Sequence, residues 1–179
     1  KGGILSNMTF IYINEGETEK ATLLMKKARE ESPDDINLMY AEAKMYYESG
    51  DMINYKKIIN EVIINEPNNP DLYYNLGVAS AKNDEKEEAL IYYTKAIELN
   101  PDYIEALINK AQLILDGESA IVEEMNALGT SNADYDKYDL LKIKKNDIYR
   151  EALPYLESAS RLRPESMDII ITLKGIYGM

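Results

Sequence analysis

Apolar residues along most of this chain recur with helical rather than strand spacing. Between Pro70 and Pro101, Leu72, Tyr73, Leu76, Val78 and Ala79 form one stripe, and Ala89, Tyr92, Tyr93, Ala96 and Ile97 form a second. Asn83-Asp84 separates them and reads as a turn. Asp71 is placed to cap the first helix. The second must end by Leu99-Asn100, because proline disfavours helical geometry in the residue before it. The stretch predicts a helix–turn–helix of about 34 residues.

The same punctuation returns along the chain. Pro33, Pro67 and Pro101 are spaced by 34 residues, and Pro164 follows after 63, an interval longer by 29. A fixed period of this size marks stacked copies of one supersecondary unit. In the first unit Leu5, Met8, Thr9 and Tyr12 precede Ala21, Met25 and Ala28. In the second, Met39, Ala43 and Tyr46 precede Tyr55, Ile59 and Val62, where small and aromatic residues stand elsewhere. In the fourth, Leu107 and Ala111 open, and Ala152, Leu156 and Ala159 close. Ile170, Leu173 and Tyr177 begin a fifth. The expected organisation is a single all-α array over 1–179, with repeats at about 2–35, 36–69, 70–103 and 104–166 and a partial repeat at 167–179. Most of these residues are core, and they speak for fold rather than activity.

The third unit carries a family pattern. Tyr73 fills an aromatic slot, Leu76-Gly77 stand together, and Ala89, Tyr93, Ala96 and Pro101 follow at fixed offsets; only Ser80 departs, in a second aromatic slot. This resembles the tetratricopeptide repeat (TPR). The resemblance implies a right-handed superhelical solenoid of antiparallel helix pairs. It also implies a non-catalytic interaction scaffold that binds a peptide or protein segment on the concave face lined by first helices.

The 29 additional residues fall near 117–147, between the two helices of the fourth unit. Ile114, Ile121, Met125 and Leu128 continue a stripe on the outgoing arm, and Tyr138, Leu141, Ile148 and Tyr149 supply one on the return. Gly129-Thr130-Ser131-Asn132 is the turn, with Ser131 or Asn132 able to cap the second arm. Two helices, each lengthened by about 20 Å, fit this pattern. The first arm is expected to continue through Asp116-Gly117 with a kink, a turn there being the alternative, and Pro154 should bend the second. A long final hairpin of this kind resembles TPR proteins of Bacteroidetes, a group in which they are commonly exported envelope proteins.

Composition narrows the chemistry. The 179 residues contain no Cys and no His, which removes disulfides, thiolate or imidazole metal sites, and Cys or His catalysis. A net charge of −12 argues against nucleic acid and anionic membrane surfaces as partners, and no run of apolar residues is long enough to span a bilayer. Asp134, Asp136 and Asp139 lack the glycine and terminal Glu of a calcium loop and read as a solvated face. A pair such as Glu123 and Glu124 is not placed opposite another carboxylate by any pattern, so no enzyme and no cofactor are expected. The chain begins at Lys1 rather than Met, which suggests an upstream segment, and the compartment stays open; only the resemblance leans toward the periplasm or cell envelope over the cytoplasm.

Counting outward from the buried slots gives the candidate binding face. It comprises Phe10, with Asn14 beside it; Asn37, Tyr40, Lys44 and Tyr47; Tyr74, Asn75, Val78 and Lys82; and Ile108, Asn109 and Gln112. Tyrosine offers contact area at low entropic cost, and asparagine can bond a peptide backbone in both directions. Either these side chains line a groove or the tyrosines pack on one another. The Lys/Asn/Arg clamp by which some TPR co-chaperones hold a C-terminal carboxylate is absent as a set: Tyr74 and Ile108 stand where it needs Lys, and no Arg lies between Arg29 and Arg150. The alternative reading is self-assembly, or a structural module of a larger envelope protein. It would act through the long hairpin and the apolar last helix with Ile169, Ile170, Leu173, Ile176 and Tyr177.

Overall fold

The computed structural model describes residues 2–178, and the side chains of Ser6, Phe10 and Thr18 also lie outside the description. The candidate Phe10 is therefore outside the described residues. Ten helices and no strand are present among those residues: α1 (Gly2–Asn14), α2 (Thr18–Glu31), α3 (Ile36–Ser49), α4 (Met52–Asn65), α5 (Pro70–Lys82), α6 (Lys86–Leu99), α7 (Ile104–Leu115), α8 (Glu118–Asn126), α9 (Asn132–Leu162) and α10 (Met167–Tyr177). The fold is all-α and built of helix pairs. Helices α2, α4, α6 and α9 each stop two residues before one of the four spaced prolines.

Local chemistry sets these boundaries. Asp35, Asp51 and Asn69 cap α3, α4 and α5, each accepting a hydrogen bond from a backbone N–H of the first turn. Pro70 occupies the first turn of α5, where its missing N–H costs nothing. The α3–α4 connection is only Gly50-Asp51, and Gly50 adopts φ 78°, a left-handed conformation open to glycine.

The chain divides into two compact units, Lys1–Tyr92 and Tyr93–Met179. In the first, α1 packs on α2 and α3, α3 on α4, and α4 on α5. One cluster joins Met25 and Ala28 to Leu38 and Ala41; another joins Met39 and Ala43 to Tyr55, Ile59 and Val62 and onward to Leu72, Leu76 and Ala79. Burying a side chain such as Leu76 fully is worth roughly 1.5–3 kcal/mol. Arg29 ties three helices of this unit, pairing with Glu42 at 2.9 Å and with Glu61, while also donating to the Pro33 carbonyl. Burial raises the Glu42 carboxyl, and the Arg29 guanidinium works against that rise.

In the second unit α7, α8 and α10 all pack on α9. Leu107, Ala159 and Ile169 form the core with Ile97, Ile104, Tyr155 and Leu173. Lys110 is buried in the slot that Leu76 fills in the third repeat; its ammonium donates to Thr94 Oγ1 at 2.6 Å and lies 4.3 Å from the Tyr155 ring centroid. The outgoing arm of the insert is two helices, because α7 ends at Leu115 and α8 starts at Glu118. Asp116 and Gly117 nevertheless keep right-handed helical dihedrals (φ −55°, ψ −26° and φ −70°, ψ −14°), and the Asp116 N–H donates to the Gln112 carbonyl at 2.9 Å, so the chain does not reverse there. The return arm is one 31-residue helix that contains Pro154. It starts at a capping box in which Ser131 and Asp134 satisfy each other's backbone N–H groups. Asp134 thus serves a helix end. Leu141 and Tyr149 are buried, Ile121, Met125, Leu128 and Ile148 half-buried, and Tyr138 exposed.

Candidate functional site

Within the first unit, α3 and α5 turn most of the candidate side chains toward one cavity of about 460 Å³. Helix α3 contributes Tyr40, Lys44 and Tyr47, which share a face through the three- and four-residue spacing of a helix. Helix α5 contributes Tyr74, Asn75 and Val78. The deepest part belongs to α4, whose Tyr55 and Ile59 are only 7% and 3% exposed. Four phenols therefore surround a single recess that opens to solvent beside half-exposed Tyr47 and Lys44.

Packing holds the rings. Tyr47 and Tyr55 meet at a centroid distance of 5.4 Å with their planes at 57°, a tilted arrangement that suits aromatic quadrupoles. Lys82 Nζ donates to Tyr47 Oη at 2.6 Å and lies 4.2 Å from its ring centroid. Lys44 pairs along its own helix with Glu48 at 3.5 Å. At the other end Tyr40 Oη donates to Glu66 Oε2 at 2.8 Å, and Asn69 Nδ2 donates to the same oxygen at 2.8 Å. These two bonds hold the Glu66 carboxyl below its ordinary range. Burial, the bond to Glu66 and the charges of Glu66 and Asp71 push the Tyr40 hydroxyl up to about 12; burial, with Tyr47 nearby, pushes Tyr55 up to about 12. Both stay neutral at physiological pH and act as hydrogen-bonding, apolar-bodied contacts.

The remaining candidates lie elsewhere. Asn37 is exposed at the start of α3, where its N–H donates to Asp35 Oδ1 at 3.0 Å, and it does not line the recess. In the second unit Gln112 and Ile108 line a separate cavity of about 350 Å³ with Arg163, Ser166, Asp168 and Thr172, while half-buried Asn109 is not part of that lining. Sequence reasoning assigned Tyr55 and Ile59 to the core and missed them as lining residues. A signal was present: Tyr55 stands in the slot that holds Ala21, Ala89 and Ala152 in the other second helices. Those alanines are fully buried, and a tyrosine there projects beyond the space an alanine fills.

Residues 70–103, which form α5, α6 and the start of the next turn, match the family model of the tetratricopeptide repeat. The chain carries a tetratricopeptide repeat over these residues. Among curated relatives, the chain is 31% identical over 96 residues to the photosystem I assembly protein Ycf3 of Acaryochloris marina, covering 51% of the chain and 57% of that relative. It spans little more than half the length of such relatives. Among solved structures it is similar to a Bacteroides ovatus protein to which protein binding has been ascribed, with TM-score 0.66, 18% identity and coverage of 99% and 96% of the two chains. It is also similar to YrrB, described as a TPR protein with an unusual peptide-binding site, with TM-score 0.53, 20% identity and coverage of 95% and 90%. At these identities the two structures speak for the shared fold.

Proposed function

We propose that this TPR chain, read as one repeat array over 1–179, is a non-catalytic scaffold that binds a peptide or protein segment in the tyrosine-lined recess of its first unit. One observation carries the reading: Tyr40, Lys44, Tyr47, Tyr74 and Asn75, picked out as the face beside the buried slots, line a common cavity with Tyr55 beneath them. Rigid aromatic side chains with hydroxyl tips, together with an asparagine amide, suit an extended backbone. The peptide site named for YrrB and the assembly role named for Ycf3 belong to those proteins and lend the reading its analogy. The test is a binding titration with peptides selected from a display library on the whole chain. Tyr47→Ala and Tyr74→Ala should each weaken binding about tenfold or more, as truncation of a buried aromatic anchor does. Unchanged affinity in both variants removes the recess as the site.

A second reading, association between copies through α10, is favoured by the exposure of Met167 and Ile171 on a helix whose neighbour Ile169 is buried. Sedimentation at two concentrations distinguishes it: a concentration-dependent shift abolished by Ile171→Glu supports it, and a strict monomer excludes it.

A further inference from the structure

The recess has opposite electrical character at its two ends. Tyr40 and Tyr47 stand seven residues apart on α3, about 10 Å along the helix axis. Behind the Tyr40 hydroxyl is the carboxylate of Glu66, held ionised by Asn69 and Tyr40 itself, with Asp71 also acting on that phenol. At the Tyr47 end are the ammonium groups of Lys82 and, one turn back on α3, Lys44. Glu48 pairs with Lys44 at 3.5 Å and offsets that ammonium, so the positive character of this end rests on Lys82. Between the ends the buried surface is the Tyr55 ring and Ile59. Among the described residues, no carboxylate lines the recess itself.

Building on the peptide-scaffold reading above, we propose that the occupant is an internal, extended segment of a partner chain in which a large apolar side chain is flanked by a basic residue on one side and an acidic residue on the other. The apolar side chain sits on Tyr55 and Ile59, the acidic one at Lys82, and the basic one at Glu66. In an extended strand alternate side chains share a face, and residues i and i+4 are about 13 Å apart. That span matches the distance between the two ends once the reach of the charged side chains is included. The recognised pattern is then basic–x–apolar–x–acidic, in either chain direction. Opposite charges at the two ends set the orientation of the segment and reject one with the charges in the wrong places.

The experiment selects C-terminally amidated nine-residue peptides from a library on the whole chain and measures the affinity of one enriched peptide by fluorescence anisotropy. The enriched set should carry the basic–x–apolar–x–acidic spacing. Tyr74→Ala should weaken binding about tenfold, and Lys82→Glu should weaken it about fivefold or more, with the loss recovered when the peptide's acidic residue is changed to Lys. Circular dichroism establishes that each variant is folded; Lys82 is exposed and its replacement leaves the core untouched. If Tyr74→Ala weakens binding but Lys82→Glu does not, or if the enriched set shows no charge pattern, the recess is the site and the polarity proposal is wrong. If no peptide is enriched, or if binding ignores Tyr74→Ala, the scaffold reading of this recess fails and the proposal fails with it.

Discussion

Two phenols of the recess, Tyr40 and Tyr55, make a residue-level claim about pH. Tyr40 and Tyr55 both have hydroxyls pushed up to about 12 in the folded chain, against about 10 for an unperturbed tyrosine. A raised pKa means that the folded state keeps its proton after the unfolded state has lost one. Their contribution to stability is therefore complete below about pH 10 and is lost as pH climbs through about 12. Urea midpoints measured from pH 8 to 12 should fall across that window, and Tyr55→Phe should flatten the fall. A variant that keeps the full wild-type slope would contradict the burial assigned to this hydroxyl. The same tyrosines show how far a sequence can be read at this scale. Tyr40, Tyr47 and Tyr74 were legible because the repeat pattern fixes which positions are buried, and counting one residue away reaches the exposed face. Tyr55 was not, because a slot that is core in every other repeat says core. Only its size relative to Ala21, Ala89 and Ala152 hinted that it reaches further.

The helices carry two predictions at the scale of the element. Gly117 lies at the break between α7 and α8 with φ −70°, a conformation open to every L-residue, and an added Cβ would meet Ile148 Cδ1 at 3.4 Å, an ordinary contact. Gly117→Ala should therefore stabilise the chain by about 0.5–1 kcal/mol through helix propensity, read as a higher urea midpoint. A lower midpoint would show that the interruption itself is required by the packing. Ser131→Ala removes one half of the capping box at the start of α9 and should cost about 1 kcal/mol. The four spaced prolines made helix ends the most readable part of the chain, since α2, α4, α6 and α9 each stop two residues ahead of one. The Asp116-Gly117 step was ambiguous for a physical reason. Glycine weakens a helix without dictating another conformation, so kink and break differ by little energy, and packing on α9 decides.

At the scale of the whole molecule, an acidic chain with net charge −12 and a sequence pI near 4.5 carries a tetratricopeptide repeat and a tyrosine-rich recess in its first unit. Lowering the pH removes both the charge and specific ion pairs. Hydrogen bonds from Lys56 and Asn83 hold the Glu85 carboxyl down at about 2. A depressed carboxyl contributes stability that is present above its unfolded value of about 4.5 and lost as pH falls through about 2. Thermal midpoints should therefore decline below about pH 4.5, and Glu85→Gln should lessen that decline. The repeat over 70–103 was legible because its slots are tied to close helix crossings. The shape of the recess was not, because it depends on side chains such as Tyr55 that the repeat pattern leaves unconstrained. The most direct test is backbone amide NMR of the whole chain titrated with a selected peptide. The account predicts shift changes concentrated at Tyr40, Tyr47, Tyr74, Asn75 and Val78. Changes confined to α8, α9 or α10, with those five residues unmoved, would contradict it.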